Sequence, residues 1–339
     1  MFQKIVNYFK EAILDDYKFI LFLIVFYIIC SIPLNYYITI GGGISDVSSR
    51  IQVEDAYQSE GSFNISYVTQ LDAKVLTYLL SYIIPNWERE DANLYKYSTN
   101  ESLDDIQFRA DLDLKYANSM ATYWAYTMAG KEVEEISNQI FVIATYQDEY
   151  PSKFKIRDEL LEVDGNHYST VLEYRDYIQS KNIGDIVHVK VLRKDKEVSF
   201  DSEIYDGNGR SLIGVGLQSL HQYKTNPEVH IKFNESESGP SGGLISALEI
   251  YNQLTEQDLT KGNIIAGTGT IESDGTIGEI GGIEHKILGA YSAKAKYFIC
   301  PGGDNYKDAK KYIKEKKLNI QLIQVDTFED AIEKLESLS

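Results

Sequence analysis

The sequence predicts a multidomain protein of mixed α/β and α+β class, with an N-terminal transmembrane helix, a β domain carrying helices, and a C-terminal α/β domain. Three observations predict it. An uncharged run fills residues 19–40, short strand-like runs surround one helical stretch between 139 and 192, and strands alternate with helices from about residue 212 to the end. The 339 residues leave room for two or three domains, each able to bury its own core.

The first element is the run FILFLIVFYIICSIPLNYYITI, Phe19 to Ile40. At ~1.5 Å rise per residue, ~20 apolar residues cross a ~30 Å hydrocarbon core. Tyr36 and Tyr37 fall where an interfacial aromatic belt lies, and Pro33 comes late enough for a kink to be tolerated. Lys4, Lys10 and Lys18 precede the run, and the next basic residue is Arg50. This asymmetry predicts a cytoplasmic tail over 1–18, an anchor over 19–40, and extracellular residues from 41 onward. A cleaved signal peptide is the competing reading, but the run is long for one and no A-x-A site follows it.

Residues 41–112 read as a membrane-proximal region and linker. Strand-like runs lie near Arg50–Val53 and Phe63–Thr69, an amphipathic stretch covers Asp72–Ile84, and the polar, acidic segment Asn86–Leu112 reads as a loop. Leu114, Ala117, Ala121, Trp124 and Met128 then recur at helical spacing, with Gly130 as a stop; the stripe reads as packing. Strands follow at Gln139–Thr145, Glu159–Val163 and Asp185–Leu192, with a helix over Tyr168–Ser180. The order strand, Asp158–Gly165, helix, Gly184–Arg193 resembles a bacterial PDZ domain over 113–206, which implies a module that adds an extended peptide to a sheet edge. Such domains usually carry glycine where this chain has Arg157.

Over 207–339 the pattern gives strands at Val229–Phe233, Asn263–Thr270, Tyr297–Cys300 and Ile320–Val325. Helices are predicted at Gly242–Leu254, Glu284–Ala295, Asp304–Lys316 and Phe328–Leu338. Ser241 opens the first of these helices inside Gly239-Pro240-Ser241-Gly242-Gly243. Unpaired N–H groups and the positive dipole end at a helix start suit a developing oxyanion, making the Ser241 and Gly242 amides its candidate donors. Such a pentapeptide alone is more often an ordinary helix cap. Lys286 follows the double-glycine turn Gly281-Gly282 among the apolar Ile283, Ile287, Leu288 and Ala290. A lysine serves as general base only when neutral, which takes burial in a dry site; taken alone, this one reads by default as a surface lysine covering the helix start. Thr268, in Ala266–Ile271, is placed to orient that amine, or is simply a β-branched strand residue.

Gly-Pro-Ser-Gly-Gly, Thr268–Ile271 and Gly281–Lys286 together resemble the proteolytic domain of the Lon family. With an anchor and a PDZ-like region, the whole chain is similar to the membrane-anchored PDZ and Lon-like peptidases of Gram-positive bacteria. The resemblance implies a serine endopeptidase with Ser241 as nucleophile, Lys286 as general base and Thr268 in support. It also implies peptide or extended protein substrates, no cofactor and a homo-oligomeric assembly. The family more often has alanine where Gly243 stands, a change expected to leave the chemistry intact. The chain holds no G-x-x-x-x-G-K-[ST] run, so the expected proteolysis is ATP-independent.

Other chemistries fare worse. The net charge of −18 argues against a nucleic-acid partner. The five histidines form no H-E-x-x-H pair, so no catalytic metal is expected. A pairing of Ser241 with His230 or His285 stays open. Cys30 and Cys300 lie in different parts of the chain, so no disulfide is expected. The alternative function is a peptide-binding surface adaptor whose peptidase domain is inactive.

Overall fold

The computed structural model describes residues 17–99, 101–234 and 236–338, which fall into two compact units. One comprises the described residues up to 41 together with 69–95; the other comprises 42–68 and 96–338.

In the first unit, helix α1 (Tyr17–Ser31) leads into strand β1 (Pro33–Ile40). The single helical span expected over 19–40 does not form. Pro33 lacks an N–H and pushes Ile32 toward extended backbone, and the aromatic and β-branched residues that follow suit a strand. β1 is the central strand of an antiparallel three-stranded sheet, between β5 (Thr69–Lys74) and β6 (Glu88–Asp91). The 15 described residues of α1 span about 22 Å, short of a ~30 Å hydrocarbon core. Among the described residues no helix is long and apolar enough to cross a membrane. None of the side chains of α1 is buried. Most of the predicted cytoplasmic tail, including Lys4 and Lys10, lies outside the described residues. The amphipathic stretch Asp72–Ile84 divides into the end of β5 and the short helix α2 (Val75–Leu80).

The second unit holds two five-stranded sheets. Further strands enter as β2 (Ile44–Asp46), β3 (Ile51–Val53) and β4 (Ser62–Ser66), followed by the 26-residue helix α3 (Leu103–Met128). The antiparallel sheet contains β7 (Glu132–Thr145), β8 (Glu159–Val163), β9 (Ile186–Arg193), β10 (Lys196–Glu203) and β13 (Val215–Asn226), in the order β10-β9-β8-β7-β13. β11 (Tyr205–Asp206) and β12 (Ser211–Leu212) form a small hairpin beside it. Val142, Val163, Val187, Val189 and Val191 line its core with Tyr174 and Ile178 of helix α4 (Val171–Gln179). Arg157 adopts φ = +78°, the left-handed backbone that favours glycine, which accounts for the glycine usual there. The arginine has a compensating role, since its guanidinium donates to the Asp104 carbonyl of α3 at 2.7 Å.

The mixed sheet runs β17-β16-β15-β4-β2, from β15 (Ile264–Gly267), β16 (Tyr297–Pro301) and β17 (Gln321–Val325); only β2 is antiparallel. Alternate residues face opposite ways along a strand, and this sheet is covered on both faces. Ile265 and Ile299 pack with α3, helix α5 (Gly243–Leu254) and helix α8 (Phe328–Glu336). Ala266, Phe298 and Cys300 pack with helices α6 (Ile283–Ser292) and α7 (Gly303–Lys316). β14 (Val229–Ile231) pairs with β3.

Two expectations about residues 41–112 change. The region is not only a membrane-proximal linker, because β4 pairs in parallel with β15 and buries Phe63 completely. Nor is 86–112 all loop. Ser102 accepts from the Asp105 amide and Asp105 accepts from the Ser102 amide, a capping box that starts α3 well before the apolar stripe at Leu114. The stripe itself packs, since Ala117 and Ala121 are buried.

Candidate functional site

Ser241 lies in the turn just before α5, half-buried, with Gly242 as the helix cap. Gly239 takes φ = +84°, the left-handed conformation that lets the chain reverse, and its N–H donates to the Ala110 carbonyl of α3 at 2.8 Å. Gly243 donates to the Pro240 carbonyl at 3.1 Å, and Leu244 donates to the Gly269 carbonyl at 3.1 Å. Among the described residues the Ser241 and Gly242 amides donate to no protein group, the arrangement the oxyanion expectation requires.

The segment after β15 holds the turn from the other side. The Gly269 N–H donates to the Ser241 carbonyl at 2.8 Å, and the Thr268 hydroxyl donates to the same oxygen at 3.0 Å. Thr268 is wholly buried, and its amide donates to the Ile299 carbonyl at 3.0 Å, tying it to β16.

Lys286 is in the first turn of α6, after Gly282, whose φ of +68° forms the left-handed entry to the helix. Its side chain is 3% exposed, and Nζ donates to Thr268 Oγ1 at 3.0 Å. Burial alone lowers its pKa from 10.5 to about 8. The amine thus reaches the nucleophile turn through Thr268, in the chain Lys286 Nζ–Thr268 Oγ1–Ser241 carbonyl, and no hydrogen bond joins Nζ to Ser241 Oγ among the described residues. This arrangement supplies a hydroxyl at a helix start, unoccupied amides beside it, and a desolvated amine that loses its proton far more readily than an ordinary lysine. His230 is more than half exposed, and its ring nitrogen lies 3.9 Å from Glu228.

The glycine at position 243 has a local cause. A Cβ there would come within 2.9 Å of Ile271 Cγ2 and 3.3 Å of Ala117 Cβ. The start of α5 is pressed against Ile271, and less tightly against Ala117 of α3, so alanine would require movement there and the departure from the usual alanine is a packing adjustment.

Sequence reasoning missed the part played by α3. Besides Ala110 and Ala117, it places Trp124, whose indole N–H donates to the Glu272 carbonyl at 3.1 Å and whose ring covers Gly275 in the turn between Thr268 and Lys286. The capping box at Ser102 was the available signal for this helix; its contacts had none. In the antiparallel sheet β13 is an edge strand, and α4 packs near it. Among the described residues no group of His, Cys, Asp and Glu side chains is arranged to hold a metal ion.

Residues 215–337 match the Lon protease (S16) C-terminal proteolytic domain, and residues 130–204 match the PDZ domain. β13 lies inside the first match yet pairs with β7 in the antiparallel sheet, so this strand is shared between the two domains. The chain is 31% identical over 97 residues to the Lon protease of Campylobacter jejuni, covering 29% of this chain and 12% of that protein. It is 33% identical over 115 residues to Lon protease 2 of Borreliella burgdorferi, covering 33% of this chain and 14% of that protein. The chain thus spans a small fraction of the curated relatives it matches. The PDZ domain of an SdrC-like protein from Listeria monocytogenes is 30% identical, with a TM-score of 0.22, over 23% of this chain and 85% of that one.

Proposed function

We propose that this chain, a PDZ-containing serine peptidase with a Lon-type proteolytic domain, hydrolyses short or extended peptides with Ser241 as nucleophile and Lys286 as general base. The observation that carries the reading is the buried amine of Lys286, held by Thr268 against the turn that bears Ser241. In the acylation step Ser241 Oγ attacks the scissile carbonyl carbon and its proton passes to Nζ. The oxyanion is held by the amides of Ser241 and Gly242. Collapse breaks the C–N bond, and the ammonium returns its proton to the departing amine. Water then attacks the ester, giving one proton to Nζ; the C–O bond to Ser241 breaks as Nζ returns that proton to Oγ, and the product acid leaves and ionises to solvent.

The wider setting belongs to the same proposal. The edge of β13 beside α4 would take up an extended peptide by strand addition and present it to the peptidase domain. α1 carries apolar side chains on all sides and none is buried, which favours association of this helix with lipid. With no phosphate-binding loop in the chain, hydrolysis proceeds without ATP, and similar domains suggest assembly as a homo-oligomer.

The test compares wild type, Ser241→Ala and Lys286→Met on a random decapeptide library, read by mass spectrometry. Cleavage by the wild type and its loss in both variants is expected. Cleavage by all three, or by none, would overturn the reading and leave a peptide-binding adaptor.

A further inference from the structure

Helix α3 has two working faces. One bears on the nucleophile side: Ala110 accepts from Gly239, Ala117 packs at Gly243, and Trp124 holds Glu272 and Gly275. The other bears on the antiparallel sheet. There Asp113 Oδ1 accepts from the Gln218 side-chain amide of β13 at 2.9 Å, and the Ser119 hydroxyl donates to the His221 carbonyl of β13 at 2.6 Å. The rings of Tyr123 and Tyr223 lie 5.4 Å apart on the same side. Residues 110, 117 and 124 are spaced seven apart, two helical turns each, so they form one stripe. Residue 113, three after 110 and four before 117, lies on the edge of that stripe nearest the sheet contacts, while 119 and 123, one turn apart, lie further round the helix.

Asp113 sits one turn after Ala110 and one turn before Ala117, between the two points at which α3 touches the turn carrying Ser241. A helix is stiff along its axis, so a displacement at Asp113 is passed to both neighbours with little loss. We propose that Asp113 and Gln218 are a positioning pair: their hydrogen bond fixes α3 against β13, and α3 in turn fixes the Gly239–Ser241 turn. Because β13 is an edge strand, a peptide added to it alters the support on which Gln218 stands. Substrate docking thereby gains a physical route to Ser241. The inference rests on the reading of Ser241 as the nucleophile.

The experiment uses the full chain with Trp87→Phe, which leaves Trp124 as the single tryptophan, since the sequence holds two. Four variants are compared with this background: Asp113→Leu, Gln218→Ala, the double variant, and Asp113→Asn, whose side-chain oxygen still accepts from Gln218. Two readouts are taken, the rate of Ser241 labelling by a fluorophosphonate and the Trp124 emission maximum, each at a temperature where circular dichroism shows the fold intact. Each single loss of the bond is expected to slow labelling by about three- to thirty-fold and to shift Trp124 emission to the red. The double variant should be no slower than the worse single, and Asp113→Asn should behave as the background. Gln218→Ala keeps α3 intact should Asp113→Leu fail to fold. Unchanged labelling and emission in Gln218→Ala, or effects that add in the double variant, overturn the pair. If the background itself does not label at Ser241, the nucleophile assignment fails instead, and Trp124 emission still decides whether the pair positions α3.

Discussion

Replacing Lys286 by methionine should inactivate the enzyme while making the fold more stable, and the stabilisation should depend on pH in a defined direction. The side chain is 3% exposed, and burial lowers its pKa from 10.5 to about 8. The folded amine therefore binds fewer protons than the unfolded one between those values. Stability rises with pH through that window, and the full penalty is present below about 8. The drop corresponds to about 3 kcal/mol of destabilisation at pH 7. Methionine has similar length and no charge, so it removes this penalty. It also loses the hydrogen bond to Thr268, worth about 1 kcal/mol, leaving a net gain of about 2 kcal/mol at pH 7. Near pH 10 most of the gain should vanish, because the folded amine is then neutral and only the remaining protonation of the unfolded amine, close to its pKa of 10.5, still opposes folding. Urea unfolding of the two proteins at pH 7 and pH 10 reads both numbers, and peptide hydrolysis reads the loss of activity. A methionine variant that is less stable at pH 7, or a difference equal at the two pH values, would refute the argument that Lys286 is a desolvated amine held at a cost.

Other outcomes follow from the same structure. Thr268→Val keeps the shape but removes the acceptor of the Lys286 amine and the donor to the Ser241 carbonyl; kcat should fall by about 10²-fold with the fold intact by circular dichroism. Glu249, 2% exposed within α5, has its carboxyl pushed up from 4.5 to about 7 by burial, so its contribution is complete below 4.5 and lost as pH rises through about 7. Glu249→Gln should therefore stabilise by up to about 3 kcal/mol at pH 8 and by almost nothing at pH 4.5, as measured by urea midpoints. Arg109→Met strands the buried carboxylate of Glu101, which it meets at 2.9 Å, and should cost about 3 kcal/mol in the same assay. Gly243→Ala should cost about 1–3 kcal/mol, since its Cβ would meet Ile271 and Ala117; an unchanged midpoint would show that the Ile271 side chain and α3 yield there.

Much of the peptidase domain was legible in the sequence. Helices over 243–254, 283–292 and 303–316 follow from apolar periodicity, and the strands between them from short apolar runs. The Ser241, Thr268 and Lys286 trio was legible as residue types in glycine-framed turns, and the turns do bring them into one hydrogen-bonded chain. The span over 19–40 was misread because hydropathy reports burial and not backbone: Pro33 and the β-branched and aromatic residues after it favour a strand as strongly as their apolarity favours lipid. The segment 86–112 was misread because polar α3 residues such as Asp104, Asp105 and Asp111 obscure its start, and the capping box was not weighed.

By itself, the order of residues determined the local grammar: which turns need glycine, which stretches form helices, and which hydroxyl and amine stand at helix starts. Tertiary structure alone decided that β4, from far upstream, completes the peptidase sheet beside β15, that Lys286 is dry, and that α3 lies between β13 and the Ser241 turn. The reason is physical. Propensity and capping act over a few residues, whereas desolvation and strand partnership depend on surfaces brought together from distant parts of the chain, and no local pattern encodes their distance.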